Sequence, residues 1–440
     1  MKKEHLKLVY VFLFSLLSLS SCENSLLNET TEKSVNQISS DLIGQQKAIT
    51  ALNQFRSVIN QTSTRSLSEI KIESIKSETY VVQFSLGEVN ARSNISKSDT
   101  IDIYTITFEK EGKKGYSILS PDERVGRMYA YTEDGTINDT ITNKGLAIHL
   151  NGIRDICKTD LAMYYTQGGK SKVTRNTRAW ISPNFLEFEW GQREPYNALC
   201  PKLCGEKPAL AGGLAVAAAE VIMYYKKPLY DDPEGGIYDY NNPDIQDAKQ
   251  SISTRGVDTN YDYKLLKDYF RITNLSPANV KNEAARLIYN LANLVDSRWG
   301  CGLLFGDDTC ADLKVADAIF GPFIRVDYKE TDPRRYYILE YFEANLSKID
   351  KQKIISNLVM KNPIIVQGMN NYGPYRHVWL YTGVKVSGDS TIDELYINWG
   401  EGGSSNGWYA FNYNLGYVAY EVLFVKSINP DAEPGGGILG

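Results

Sequence analysis

Only three histidines occur in the 440 residues: His5, His149 and His377. A base working near neutral pH is most often an imidazole. His5 sits in an apolar leader and His149 in the first half, so the second half offers His377 alone. His377 opens a run of period two after a turn containing Gly373 and Pro374. A second such run ends at Asn398-Trp399, followed by the turn Gly400-Glu401-Gly402-Gly403. Side by side as a hairpin, the two runs bring an imidazole, an amide that can orient it and an indole that can exclude water. Such a group assists a thiol nucleophile, so the cysteines are the next residues to place.

There are six: Cys22, Cys157, Cys200, Cys204, Cys301 and Cys310. Cys22 ends Leu19-Ser20-Ser21-Cys22, after an apolar run Leu8–Leu19 that Lys2, Lys3 and Lys7 precede. That run is too short to span a bilayer and has the pattern of a secretory signal. The motif resembles a bacterial lipobox, which implies lipidation at Cys22, export, and anchoring at the outer membrane or cell surface. Export permits disulfides. Cys200 with Cys204, or Cys301 with Cys310, could pair locally, and spacing leaves the choice open. No Cys/His cluster has zinc spacing, and no metal or other cofactor is expected.

The remaining chain supplies the elements. Net charge is −5, with 42% hydrophobic and 23% charged residues. Nothing in this balance argues for nucleic acid as a partner. Residues 1–22 read as the signal, 23–44 as a polar tether and 45–165 as a small α+β domain. In that domain a helical pattern at Gln45–Val58 precedes strands at Thr79–Ser85, Thr100–Phe108, Gly115–Leu119 and Val125–Tyr131. A second helical stretch, Lys144–Tyr165, closes it. A Gly/Lys/Arg-rich linker covers 166–180, with Arg175 and Arg178 open to nicking. Residues 181–428 form a second α+β domain, and 429–440 a loose tail. Helices are expected at Leu214–Tyr225, Val280–Val295, Arg335–Leu346 and Lys351–Met360. Strands are expected at Pro363–Gly368, His377–Val386, Glu394–Trp399, Gly407–Asn412 and Val422–Val425.

At this point the motifs carry a resemblance. Trp190-Gly191-Gln192 with Pro195-Tyr196-Asn197 and Cys200-Pro201, the helix Gly212–Tyr225, His377-Val378-Trp379 and the stretch Asn398–Tyr409 resemble, in order, the streptopain family of papain-like cysteine peptidases. Gly115–Arg124 and Tyr129-Ala130-Tyr131 resemble that family's propeptide. The resemblance implies an α+β papain-like peptidase domain behind a propeptide-like domain. It assigns His377 as base, Asn398 as its orienter, Trp399 as shield and Gln192 as oxyanion donor. The family's Gly-Cys-Val-Ala reads here Gly212-Gly213-Leu214-Ala215, and Val216–Val221 fixes the register, so the nucleophile position falls on Gly213.

A thiol at a helix N-terminus beside an imidazolium is held as thiolate, and glycine has no side chain to take that role. Loss of a nucleophile elsewhere has cost on the order of a millionfold in kcat. Two further departures are Arg376 before His377, where the family has glycine, and Glu401, where it has tryptophan. The reading is therefore a probable-cleft protein without family chemistry: a pseudopeptidase that binds a peptide or protein ligand and its own propeptide-like domain, with self-cleavage near Arg175–Arg178 not expected. An active endopeptidase using Cys204 as substitute thiol, nine residues before Gly213, is the alternative; a structural or adhesive surface lipoprotein is the second.

Overall fold

The first elements form because the chain lacks breakers. Residues Ser25–Ile59 contain no proline and make one helix, α1, so the polar stretch expected as a tether is helical from residue 25. The computed structural model describes residues 25–60, 68–86, 95–137, 143–169, 180–231, 261–301, 309–311, 313, 336–343, 351–370, 376–387, 391–411 and 418–428. The signal, Cys22, the Arg175–Arg178 linker and the tail lie outside them. Residues 1–49 form one compact unit and 50–440 a second, to which the following description applies. Among the described residues no helix is long and apolar enough to cross a membrane.

Strands β1 (Lys71–Leu86), β2 (Ile95–Lys110), β3 (Lys113–Ser120) and β4 (Arg127–Thr132) form an antiparallel meander. Helices α2 (Lys144–Asn151) and α3 (Ile153–Thr166) follow. The single stretch expected there is broken at Gly152, and the Asn143 side chain caps α2 through Leu146 N. After β5 (Trp180–Ser182) come α4 (Gly213–Asp231), α5 (Tyr263–Leu266) and α6 (Ala278–Leu294). Then follow β6 (Tyr336–Glu343), α7 (Lys351–Val359), β7 (Ile364–Asn370), β8 (Arg376–Val386), β9 (Ile392–Asn398), β10 (Gly407–Ala410) and β11 (Val418–Ile428).

One expected element changes type. Arg335–Leu346 was expected as a helix, and Tyr336–Glu343 is instead an edge strand paired with β11. Its Tyr-Tyr-Ile-Leu-Glu-Tyr-Phe-Glu sequence is rich in aromatics and suits a strand at the end of a sheet.

The two segments read as separate domains share one sheet. Its order is β1-β2-β3-β4-β10-β9-β8-β7-β11-β6, with β5 against β8. The seam is β4 on β10, where Thr132, Tyr131 and Ala130 face Gly407, Trp408 and Tyr409. Each face carries a core. Val378 and Leu380 of β8 join α4 and α6 on one side. Trp379 and Tyr381 alternate to the other, where they pack with Trp399, Tyr409 and residues of α2, α3 and α7.

Candidate active site

The site is assembled around the start of α4. Leu214 through Met223 are buried on every side, so this helix runs through the core rather than along the surface. Gly212 turns the chain into it with φ +93°, a conformation that favours glycine. Gly213 then begins the helix. A Cβ placed there would lie 3.1 Å from the Val378 carbonyl oxygen and 3.4 Å from its Cβ. Strand β8 thus fits closely against the bare glycine.

His377 is placed one residue earlier on β8, and its ring belongs to the opposite face. It lies 22° from parallel with Trp379, centroids 6.3 Å apart, and 6.5 Å from Trp399. Gly145, in the first turn of α2, rests on the same two rings. A Cβ there would come within 2.6 Å of His377 Cδ2 and of Trp399 Cε3. The propeptide-like helix therefore covers the histidine, and Val378, rather than His377, meets Gly213.

The orienter differs from the expectation. His377 Nε2 is 2.8 Å from the Trp399 carbonyl oxygen. A carbonyl only accepts, so Nε2 carries the hydrogen and Nδ1 is the acceptor nitrogen of the neutral ring. Asn398 does not orient the imidazole. Its amide donates to the Phe188 carbonyl and Glu220 Oε1, and its oxygen accepts from Gly400 N and Asn406 Nδ2. The reason is register: Asn398 pairs with Leu380 and shares the α4 face of the sheet. Asn398 fixes the turn after β9, and Trp399 serves the histidine through both ring and carbonyl.

Gln192 reaches the pocket beside Gly213, and its Nε2 donates to Glu401 Oε1 at 2.9 Å. A bridge between Gly191 and Glu401 brings the two side by side. The assigned oxyanion donor therefore has an N–H committed to a carboxylate. Cys204 is excluded as a substitute thiol because it is disulfide-bonded to Cys301, with Cα atoms 5.5 Å apart. Neither local pairing occurs. Cys157 and Cys200 are buried thiols, which burial pushes up to about 11 and about 12. Cys310 is free and partly exposed.

Glu220 escaped the reading of the sequence. It is fully buried on α4 and accepts from Trp190 N at 2.6 Å as well as from Asn398. Its second oxygen has no hydrogen-bond partner. Burial raises its pKa well above the ordinary carboxylate value, so the folded protein holds a proton that the unfolded chain releases. Unfolding free energy must then fall as pH rises above about 4.5, the unfolded value. Glu220→Gln should abolish that slope, raising the melting temperature at pH 8 by a few degrees and leaving it unchanged at pH 4. Equal melting curves for both proteins at pH 8 would show that Glu220 is not held neutral. The signal was available: a lone carboxylate inside an otherwise apolar helix.

A buried helix ending on a histidine-bearing antiparallel sheet is the architecture of a papain-like cysteine peptidase. The model of the Peptidase C10 family matches residues 190–409, half of the chain. The chain belongs to this family, the streptopain family of its sequence resemblance. A solved mutant fragment of prointerpain A from Prevotella intermedia is similar over 80% of this chain and 99% of that chain, at 18% identity and a TM-score of 0.48. No curated protein matches.

Proposed function

We propose that this C10 homologue binds a peptide or protein ligand beside the start of α4 and does not hydrolyse it by the family's chemistry. The carrying observation is Gly213 against the Val378 backbone, which leaves the helix N-terminus without a nucleophile. The Gln192–Glu401 hydrogen bond and the covering of His377 by α2 support the same reading. The lipobox-like Leu19–Cys22 motif supports an exported, membrane-anchored protein with this cleft outside the cytoplasm.

A pool of quenched-fluorescent peptides tests the reading in two ways. Immobilised protein should retain a subset of the pool, and incubation should release no fluorescence. Hydrolysis by wild type that disappears in His377→Ala would overturn it.

A further inference from the structure

One thiol remains in the cleft. Cys310 shares with Gly213, Gln192, Arg376 and His377 the wall of a small pocket of about 20 Å³, room for about one water. Its place is firmly set. Cys310 and Arg298 exchange backbone hydrogen bonds at 2.9 and 3.0 Å. The neighbouring Thr309 hydroxyl donates to the Leu210 carbonyl and accepts from Gly300 N. Thr309 Cγ2 would lie 3.0 Å from a Cβ on Gly212, so this ledge is packed against the chain just before α4. The Cys204–Cys301 disulfide ties down the other side of the ledge.

The same wall carries a cation. Arg376 Nε is buried without a hydrogen-bond partner. Buried polar groups left unpaired are rare enough to need a reason, and an anionic ligand would supply it.

Acyl transfer needs an oxyanion donor, and Gln192 has an N–H on Glu401. Thiol–disulfide exchange needs none. It requires an accessible thiol and a disulfide sulfur brought into line with it. The disulfide in the adjoining loop shows that the chain's cysteines are oxidised where they pair, and a free thiol in such a compartment meets disulfides.

We propose that Cys310 captures carboxylate-bearing disulfides, including cystine-containing peptides, as mixed disulfides, with Arg376 holding the carboxylate. The Cys310 sulfur attacks one sulfur of the ligand, forming a new S–S bond. The ligand's own S–S bond breaks, and the departing sulfur leaves as a thiol with the proton that Cys310 gives up. No net oxidation occurs. This rests on the ligand-binding reading of the cleft, and adds covalent capture to it.

The test uses the full-length protein with two probes, oxidised glutathione and the uncharged hydroxyethyl disulfide. Intact mass and peptide mapping should find one reductant-reversible adduct on Cys310, absent in Cys310→Ser. Arg376→Gln should raise the half-saturating concentration of oxidised glutathione about tenfold and leave the hydroxyethyl disulfide rate unchanged. An adduct on Cys204 or Cys301 instead, or none, would overturn the proposal. So would an Arg376→Gln effect equal for both probes. Peptide retention by Cys310→Ser separates the two readings: retention persists if only covalent capture is wrong, and is lacking even in wild type if the ligand-binding reading is wrong.

Discussion

Gly213→Cys, made in a Cys310→Ser background, is expected to change a chain that leaves a peptide vinyl sulfone unreacted into one that takes a single adduct at residue 213. The background matters because residues 213 and 310 line one pocket, where two thiols could join. The new Cβ would stand 3.1 Å from the Val378 oxygen, so β8 must yield by a few tenths of an ångström. The thiol would then sit at the amino end of α4, where the helix dipole favours thiolate. The imidazole is the slower part, because Gly145 of α2 rests on it. Adding Gly145→Val, whose side chain cannot share that space, should lift α2 and speed labelling at pH 6 by about tenfold, as His377 becomes free to pair with the thiol. Replacing Glu401 by glutamine removes the carboxylate that holds Gln192. Peptide turnover should rise with that change, since one oxyanion donor elsewhere is worth about 10²–10³ in kcat. A folded Gly213→Cys protein that remains unlabelled at pH 8 would mean that residue 213 does not open on the cleft.

The second large effect concerns Arg127, at the start of β4. Its guanidinium pairs with Asp160 of α3 at 3.2 Å and donates to the backbone carbonyls of Asp393 and Phe411. The pair is almost wholly buried, with side chains 9% and 1% exposed. One residue of the propeptide-like segment thus satisfies two carbonyls of the peptidase-like segment. Arg127→Ala leaves the Asp160 carboxylate buried without its cation and strands both carbonyls. The expected cost is about 3–5 kcal/mol, lowering the melting temperature by roughly 5–10 °C. Arg127→Ala with Asp160→Asn should recover part of the loss, because the uncompensated charge is gone. A loss under 1 kcal/mol in denaturant titrations would show that the ion pair does not join the two segments.

Much of this site could be read in the sequence, for local reasons. His377–Val386 and Glu394–Trp399 alternate cleanly, so their hairpin and the neighbourhood of His377 and Trp399 followed from period two. Gly213 followed from register within an unbroken apolar helix. The partner of His377 was hidden because it is a backbone carbonyl, which no residue type announces. Asn398 was misjudged for a related reason: an amide beside a tryptophan suggests a side-chain contact, but strand parity turns it toward Glu220. The Cys204–Cys301 pairing spans 97 residues, and only the packing of distant loops selects it over nearer partners. Tyr336–Glu343 looked helical in spacing, and pairing with β11 decided otherwise. The union of two expected domains was equally hidden, since nothing local marks β4 as the neighbour of β10.

That union governs what scission would do. A cut between α3 and β5 breaks the covalent chain and leaves β4 laddered to β10, Arg127 clamped and Tyr129, Tyr409 and Trp399 in one core. The two fragments should co-elute on gel filtration at the mass of the intact molecule and part only under denaturant. Maturation by clipping, if another protease performs it, would accordingly leave the quaternary inventory of the sample unchanged, and only a denaturing gel would report that it had taken place.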